Sequence, residues 1–101
     1  MSIKGGDYRW LKQALERGDL PLVKASAAQL PAVDLPTALD IALLVMEREP
    51  HNGERAGVRW LGRLCLERGV TLAELRGAVD AFTILVEEPD RAEAALRRLL
   101  D

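Results

Sequence analysis

Prolines, glycines and aspartates divide this chain of 101 residues into six short segments, and that division constrains the fold more than any other feature. Within each segment apolar side chains recur every three or four residues, as at Tyr8, Leu11 and Leu15, which is the spacing of one helix face. No segment alternates apolar and polar residues as a half-buried strand does, and β-branched residues are sparse. The sequence therefore predicts an all-α protein, a compact bundle of about six short helices.

Residues with capping roles mark the ends of these helices. Asp19 and Asp34 each precede an apolar run, where a carboxylate accepts hydrogen bonds from the first free amides of a helix. Gly18 and Gly69 stand where a helix closes, because glycine adopts the left-handed backbone of a C-terminal turn without strain. The segment 71–74, Thr-Leu-Ala-Glu, is a capping box that opens the fifth helix.

The remaining boundaries follow from the same residue types. The first helix is predicted to begin after Asp7, which leaves residues 1–6 as a flexible N-terminus before a single helical domain over 7–101. The fourth helix is predicted to start near residues 52–53 after a loop, and the sixth is predicted to start at Pro89. The fifth helix carries one apolar stripe, formed by Leu72, Leu75, Val79, Phe82 and Val86.

Two strings recur in the same order along the chain. Arg-Trp-Leu stands at 9–11 and again at 59–61, and Leu-Glu-Arg-Gly stands at 15–18 and again at 66–69. Recurrence at a fixed period is typical of a duplicated structural unit. Because Leu, Arg, Glu and Gly are common in this chain, chance is the alternative explanation.

The recurrence predicts two pseudo-repeats of a three-helix unit, with halves at approximately 7–50 and 53–101. A unit of about fifty residues buries too little surface to be stable alone, so the two halves would have to stack on each other. Trp10 and Trp60 occupy equivalent positions in the two halves. Their equivalence favours packing at the junction between the repeats over a role as partner-binding anchors.

The third helix is apolar around nearly its whole circumference from Ala38 to Met46. Such a helix either lies at the centre of a bundle or offers a second face to a partner. The central position is the favoured interpretation. If the second face is exposed instead, the candidate partner-binding residues are Ile41, Leu44 and Val45, with Trp10 or Trp60 as an aromatic anchor.

Charge composition bears on nucleic-acid binding. The chain has 14 basic and 16 acidic residues, for a formal net charge of −2, which disfavours general attraction to a phosphate backbone. Arg55, Arg59 and Arg63 nevertheless recur every four residues on the fourth helix, beside Trp60. This stripe is the basis of the alternative hypothesis, a nucleic-acid-binding helical domain. The simpler explanation is a solvated face with local ion pairs.

Residues that could support catalysis or bind a metal are few. His51 is the only histidine, with Glu49 and Glu54 close in sequence, so an enzyme or metal site there is the less favoured alternative. The helix breakers around it leave no pair of ligands four residues apart on one face. Cys65 is the only cysteine and stands on an apolar face. We expect no catalytic residue, no bound cofactor and no metal.

By elimination, the sequence predicts a non-catalytic protein–protein interaction or self-association module, a small helical adaptor domain. Its expected partner is another protein or a second copy, with no membrane involvement, since no apolar run approaches the length of a membrane span. A single cysteine and an N-terminal segment without an apolar core predict a cytoplasmic location. Eleven Arg against three Lys, with many Ala and Leu, is typical of bacterial proteins from GC-rich genomes.

Overall fold

The computed structural model describes the backbone of residues 4–101 and the side chains of residues 8–101. Within these residues the protein is all-α, as predicted, and contains no strand. The helices form an elongated body of 43 × 27 × 20 Å. They are α1 (Lys4–Arg17), α2 (Leu20–Ala28), α3 (Leu35–Arg48), α4 (Pro50–Arg68), α5 (Leu72–Ile84) and α6 (Pro89–Arg98).

The predicted caps form as the sequence indicates. The Asp34 carboxylate accepts a hydrogen bond of 2.9 Å from the amide of Thr37. In the capping box, the amide of Glu74 donates to the Thr71 hydroxyl at 3.1 Å, and the Thr71 amide donates to the Glu74 carboxylate at 2.8 Å. Gly18 and Gly69 both adopt a left-handed backbone, with φ of 66° and 60°. Local chemistry therefore fixes these helix ends.

Two predicted helix starts are corrected. Helix α1 begins at Lys4 rather than after Asp7, so residues 4–6 of the predicted flexible N-terminus 1–6 are helical, while residues 1–3 lie outside the described residues. Helix α4 begins at Pro50, so the predicted loop before residue 53 does not form. Proline fits there because the first residues of a helix need no amide donor, and Glu49 serves as the cap of both α3 and α4.

Two apolar clusters make up the core, and α3 contributes to both. The larger cluster joins α3 to α4, α5 and α6 through buried residues that include Leu39, Leu64 and Leu96. The smaller cluster is built around Leu11 and Val23 of the α1–α2 hairpin. Helices α5 and α6 form a second hairpin, α3 contributes to the cluster of each hairpin, and the most extensive contact of α3 is with α4.

The second face of α3 packs against the chain itself. Ile41, Leu44 and Val45 lie against the smaller cluster, under the α1–α2 hairpin, and each is only partly accessible to solvent. No apolar side chain of α3 falls among the strongly exposed ones of residues 8–101. The central position favoured from the sequence is therefore the one observed, because an intramolecular hairpin covers the face that a partner would otherwise need to cover.

The predicted pseudo-repeat is not confirmed. Trp10 and Trp60 differ completely, since the first is 61% exposed and the second 2% exposed. Helix α1 packs extensively on α2, whereas α4 has little contact with α5 and packs mainly on α3. The recurring Leu-Glu-Arg-Gly string ends a helix in both places, and its glycines Gly18 and Gly69 are explained by that capping role alone.

Polar contacts tie the hairpins to α3. The Arg97 guanidinium of α6 pairs with Asp40 of α3 and with Glu93 of its own helix. Although burial alone would lower the pKa of Arg97, these two carboxylates raise it above its usual value. On the other side, the Tyr8 hydroxyl of α1 lies 2.7 Å from the Thr37 hydroxyl of α3.

Candidate interaction surfaces

A long apolar groove, here called the α4–α5 groove, runs between α4 and α5 and has a volume of about 460 Å³. Its lining includes Val58 of α4, Val79 and Phe82 of α5, and Val86 in the turn that follows. Glu54 is the only charged residue among those that line it. A concave surface of this composition can hold apolar side chains and offers almost no groups for acid–base chemistry.

Glycines form one wall of the α4–α5 groove and let α3 approach closely. A Cβ atom added to Gly57 would lie 2.7 Å from Cε of Met46, and one added to Gly53 would lie 3.3 Å from Met46 Cγ. On the α5 side, Phe82 lines the groove, and its ring meets that of the buried Trp60 edge to face, with centroids 6.0 Å apart. The missing side chain of Gly57 therefore leaves room for both Met46 and Phe82, which would lie 2.7 Å and 3.7 Å from an added Cβ atom.

Apolar exposure is concentrated around this groove. Of the seven strongly exposed large apolar residues among residues 8–101, five belong to α4, α5 or the turn after α5, and they are Val58, Leu66, Leu72, Val79 and Val86. The apolar stripe of α5 was the sequence signal for this surface. Helix α5 instead buries Ala78 and Ala81, which lie on a different side of the helix, and so leaves most of the stripe accessible.

The candidate partner-binding and nucleic-acid-binding residues converge at a second, smaller depression, here called the α3–α4 slot. Ile41 and Val45 line it together with Arg59 and Arg63, and its volume is about 250 Å³. Leu44 does not line this slot and faces a separate shallow depression beside α6. The sequence pattern assigns the two pairs to different hypotheses and contains no sign that they adjoin.

The prediction of Trp60 as a candidate aromatic anchor for a partner is corrected. This side chain is 2% exposed, and its indole nitrogen donates a hydrogen bond of 3.0 Å to the backbone oxygen of Leu35. It is therefore a core residue of the α3–α4 contact and offers no anchoring surface to a partner. Trp10 remains accessible and lies beside Leu22 and Ser26 of α2.

The three arginines of the α4 stripe differ in their partners. Arg63 is held by Glu67, whose carboxylate accepts a hydrogen bond of 2.7 Å from the guanidinium Nε, as expected for a local pair. Arg55 and Arg59 line a shallow depression that also contains His51. Neither makes an ion pair with the side chains of residues 8–101.

His51 lies exposed in the first turn of α4, at a junction of helices. The adjacent Asn52 donates a hydrogen bond of 3.0 Å to the Glu49 carboxylate, which also accepts one of 2.9 Å from Lys24. These hydrogen bonds lower the pKa of Glu49 below its usual value. Across the described residues, no three His, Cys, Asp or Glu side chains are grouped as a metal site would require.

The described surface thus offers two depressions with apolar walls, one neutral and one with a cationic rim. Among residues 4–101, no helix combines the length and the apolar character that crossing a membrane requires. No protein-family model, curated protein or solved structure matches the chain.

Proposed function

We propose that this protein is a non-catalytic interaction module that self-associates through the α4–α5 groove. The observation that carries the proposal is the concentration of exposed apolar side chains there, with Val58 63% exposed, Val79 45% exposed and Val86 93% exposed. Monomeric proteins rarely expose contiguous apolar patches larger than about a few hundred Å², and large exposed patches mark association sites.

The spacing of the α5 stripe favours a second copy of this chain as the occupant. Leu72 and Val86 each stand seven residues from Val79, so a two-fold axis through Val79 sets Leu72 of one copy against Val86 of the other. The same axis sets Arg76 of one copy against Phe82 of the other, and no position from 72 to 86 is set against a residue of like charge. The stripe is therefore complementary to itself in an antiparallel arrangement.

The energetics support a reversible dimer. Full burial of a Val or Leu side chain contributes about 1.5–3 kcal/mol, and each copy would bury several. Association costs about 4–15 kcal/mol in lost freedom, which offsets much of that gain. We expect monomer and dimer to exchange at about micromolar concentration.

Sedimentation equilibrium of matched variants tests the proposal. Val79→Asp places a charge at the centre of the groove and should yield a monomer, while the unsubstituted protein is a dimer. Leu22→Asp makes the same kind of change at a residue of α2 that is 38% exposed and far along the chain from the groove, and this variant should remain a dimer. Circular dichroism of all three confirms that the helices are intact. A monomeric unsubstituted protein at millimolar concentration, or equal dissociation of both variants, would refute the proposal.

Disulfide trapping tests the arrangement of the two copies. In a Cys65→Ser background, Val79→Cys places two thiols across the proposed axis, where a disulfide needs Cα atoms about 4.4–6.8 Å apart. Oxidation should therefore link the copies at residue 79. Leu22→Cys in the same background should not be linked at the same protein concentration. Equal linking of both variants would contradict the proposed axis.

The proposal includes a cytoplasmic location and no catalytic role. A single cysteine cannot form an intramolecular disulfide, which favours a reducing compartment. The only histidine lies at a helix junction beside Asn52 and Glu49, and those contacts stabilise the junction without presenting a nucleophile. An interaction module needs neither a disulfide nor a catalytic nucleophile.

A further inference from the structure

The α3–α4 slot has a property that self-association through the α4–α5 groove does not use. Its floor and walls are aliphatic and include Ile41, Val45 and Ala56, all partly buried. Its charged lining residues are Arg59 and Arg63, both on α4. An apolar floor under an exclusively cationic rim is complementary to a molecule with a hydrocarbon tail and one negative charge.

Both arginines have donors available for an anion. Arg59 is exposed and makes no ion pair with the side chains of residues 8–101. Arg63 is paired with Glu67 through its Nε, and its side chain is 35% exposed. That bond leaves both terminal nitrogens of the Arg63 guanidinium as donors, and a guanidinium can bind a carboxylate through two parallel hydrogen bonds.

We propose that the α3–α4 slot binds a small aliphatic carboxylate, a fatty acid anion with a short hydrocarbon tail. The carboxylate lies between Arg59 and Arg63, and the hydrocarbon tail lies against Ile41, Val45 and Ala56. The volume of about 250 Å³ is below the about 300–1,000 Å³ of pockets that hold drug-sized ligands, which limits the tail to a short chain.

Hexanoate is the probe for this site, and chemical-shift titration of the methyl groups measures its binding. We expect saturable shifts at Ile41, Val45 and Ala56 with a dissociation constant of about a millimolar. 1-Hexanol carries the same tail without the charge, and acetate carries the charge without the tail. Each control should bind at least about fivefold more weakly, because each forfeits one half of the complementarity.

Variants at the rim change the affinity in opposite directions. Arg59→Gln removes one exposed cation and should weaken hexanoate binding about fivefold, as expected for one partly solvated charge pair. Glu67→Gln releases Arg63 from its competing carboxylate and should strengthen binding about twofold. A gain of affinity from this surface substitution is a result that a purely structural role for Arg63 would not give.

A filled slot provides the matched negative control. Ala56→Leu places a larger side chain in the slot and should abolish the shifts while keeping the helical circular dichroism. Titration of the Val79→Asp variant separates this site from the α4–α5 groove, and its hexanoate affinity should be unchanged. Shifts confined to Val58 and Val79, equal affinity for hexanoate in Arg59→Gln, or unchanged or weaker affinity in Glu67→Gln would overturn the proposal.

Discussion

Trp10 and Trp60 stand in the same Arg-Trp-Leu string, yet α1 and α4 bury different residues of it. Helix α1 buries Leu11 and leaves Trp10 61% exposed, whereas α4 buries Trp60 and leaves Leu61 only partly buried. Successive side chains on a helix are about 100° apart around its axis. The face of α4 that packs on the core is therefore shifted by one residue of the string relative to that of α1.

A string of three residues does not by itself specify which of its side chains is buried. The buried face of α4 is set by Gly53 and Gly57, which allow close contact with Met46 of α3, and Trp60 continues that face. Helix α1 has no such glycine pair beyond residue 7 and meets α2 through Leu11 and Ala14. The neighbours of the whole helix therefore decide the environment of each tryptophan.

The two tryptophans should differ most in the stability that is lost when each ring is removed. Trp60→Ala should destabilise the protein by about 3–5 kcal/mol, since it removes a buried aromatic ring together with its hydrogen bond to Leu35. Trp10→Ala should cost less than about 1 kcal/mol because the ring is mostly in water. Urea unfolding at equal protein concentration measures both. Similar losses for the two variants would show that the two environments do not differ as described.

A smaller loss of stability is expected at the glycines that end the two Leu-Glu-Arg-Gly strings. Gly18→Ala and Gly69→Ala should each cost about 1–2 kcal/mol, because both glycines have a left-handed backbone that alanine adopts with strain. Gly62→Ala is the control, since a Cβ atom there meets nothing within 4 Å and alanine favours a helix by up to about 1 kcal/mol. Thermal unfolding compares the three. A Gly69→Ala variant as stable as the unsubstituted protein would break the equivalence of the two helix ends.

The smallest change in stability is expected at the residues that cap the starts of α3 and α5. Burial alone would raise the pKa of Asp34, but hydrogen bonds from Thr37 and Tyr8 lower it overall. Its stabilising contribution is therefore complete above about pH 4, the usual value for an unfolded aspartate, and is lost as the pH falls through the lower folded value. Asp34→Asn should cost less than about 1 kcal/mol at neutral pH, since the carboxylate is partly solvated, and still less at pH 2.

Thr71 supplies the matched comparison, because its hydroxyl caps α5 without a charge. The loss of stability in Thr71→Ala should therefore be the same at neutral pH and at pH 2 when the Glu74→Gln substitution is present in both proteins. Thermal unfolding at the two pH values gives the four differences. A pH-dependent loss for Thr71→Ala, or a pH-independent loss for Asp34→Asn, would contradict the assignment of the charge effect to Asp34.

The sequence predicted those parts of the fold that depend on neighbours along the chain. Helix ends at Asp34, Gly69 and Thr71 follow from hydrogen bonds within four residues, and the structure contains all of them. The start of α4 was misplaced because Pro50 signals both the end of one helix and the first residue of the next. Whether Pro50 follows α3 in a loop or begins α4 depends on how the two helices pack, which no local pattern specifies.

Much less of the candidate surfaces could be predicted. Periodicity showed that Ile41 and Val45 were apolar, but which hairpin covers them depends on contacts between residues far apart in sequence. The same limit applies to the α5 stripe, whose exposure follows from the burial of Ala78 and Ala81 in its place. The convergence of Arg59 with Ile41 requires the register of α3 against α4, which no local pattern specifies.

The shared position of α3 has a consequence for how the molecule opens. We expect either hairpin to detach while the α3–α4 pair persists, since the α1–α2 hairpin packs on α3 in the smaller cluster and the α5–α6 hairpin packs on the α3–α4 pair in the larger one. Loss of α3, by contrast, dissolves both clusters at once. Amide hydrogens in the middle of α3 should therefore exchange with solvent only through global unfolding, while those of α2 and α6 exchange through smaller openings of lower free energy. In this sense the α3–α4 pair is the cooperative centre of the molecule, and the two hairpins should open separately from it.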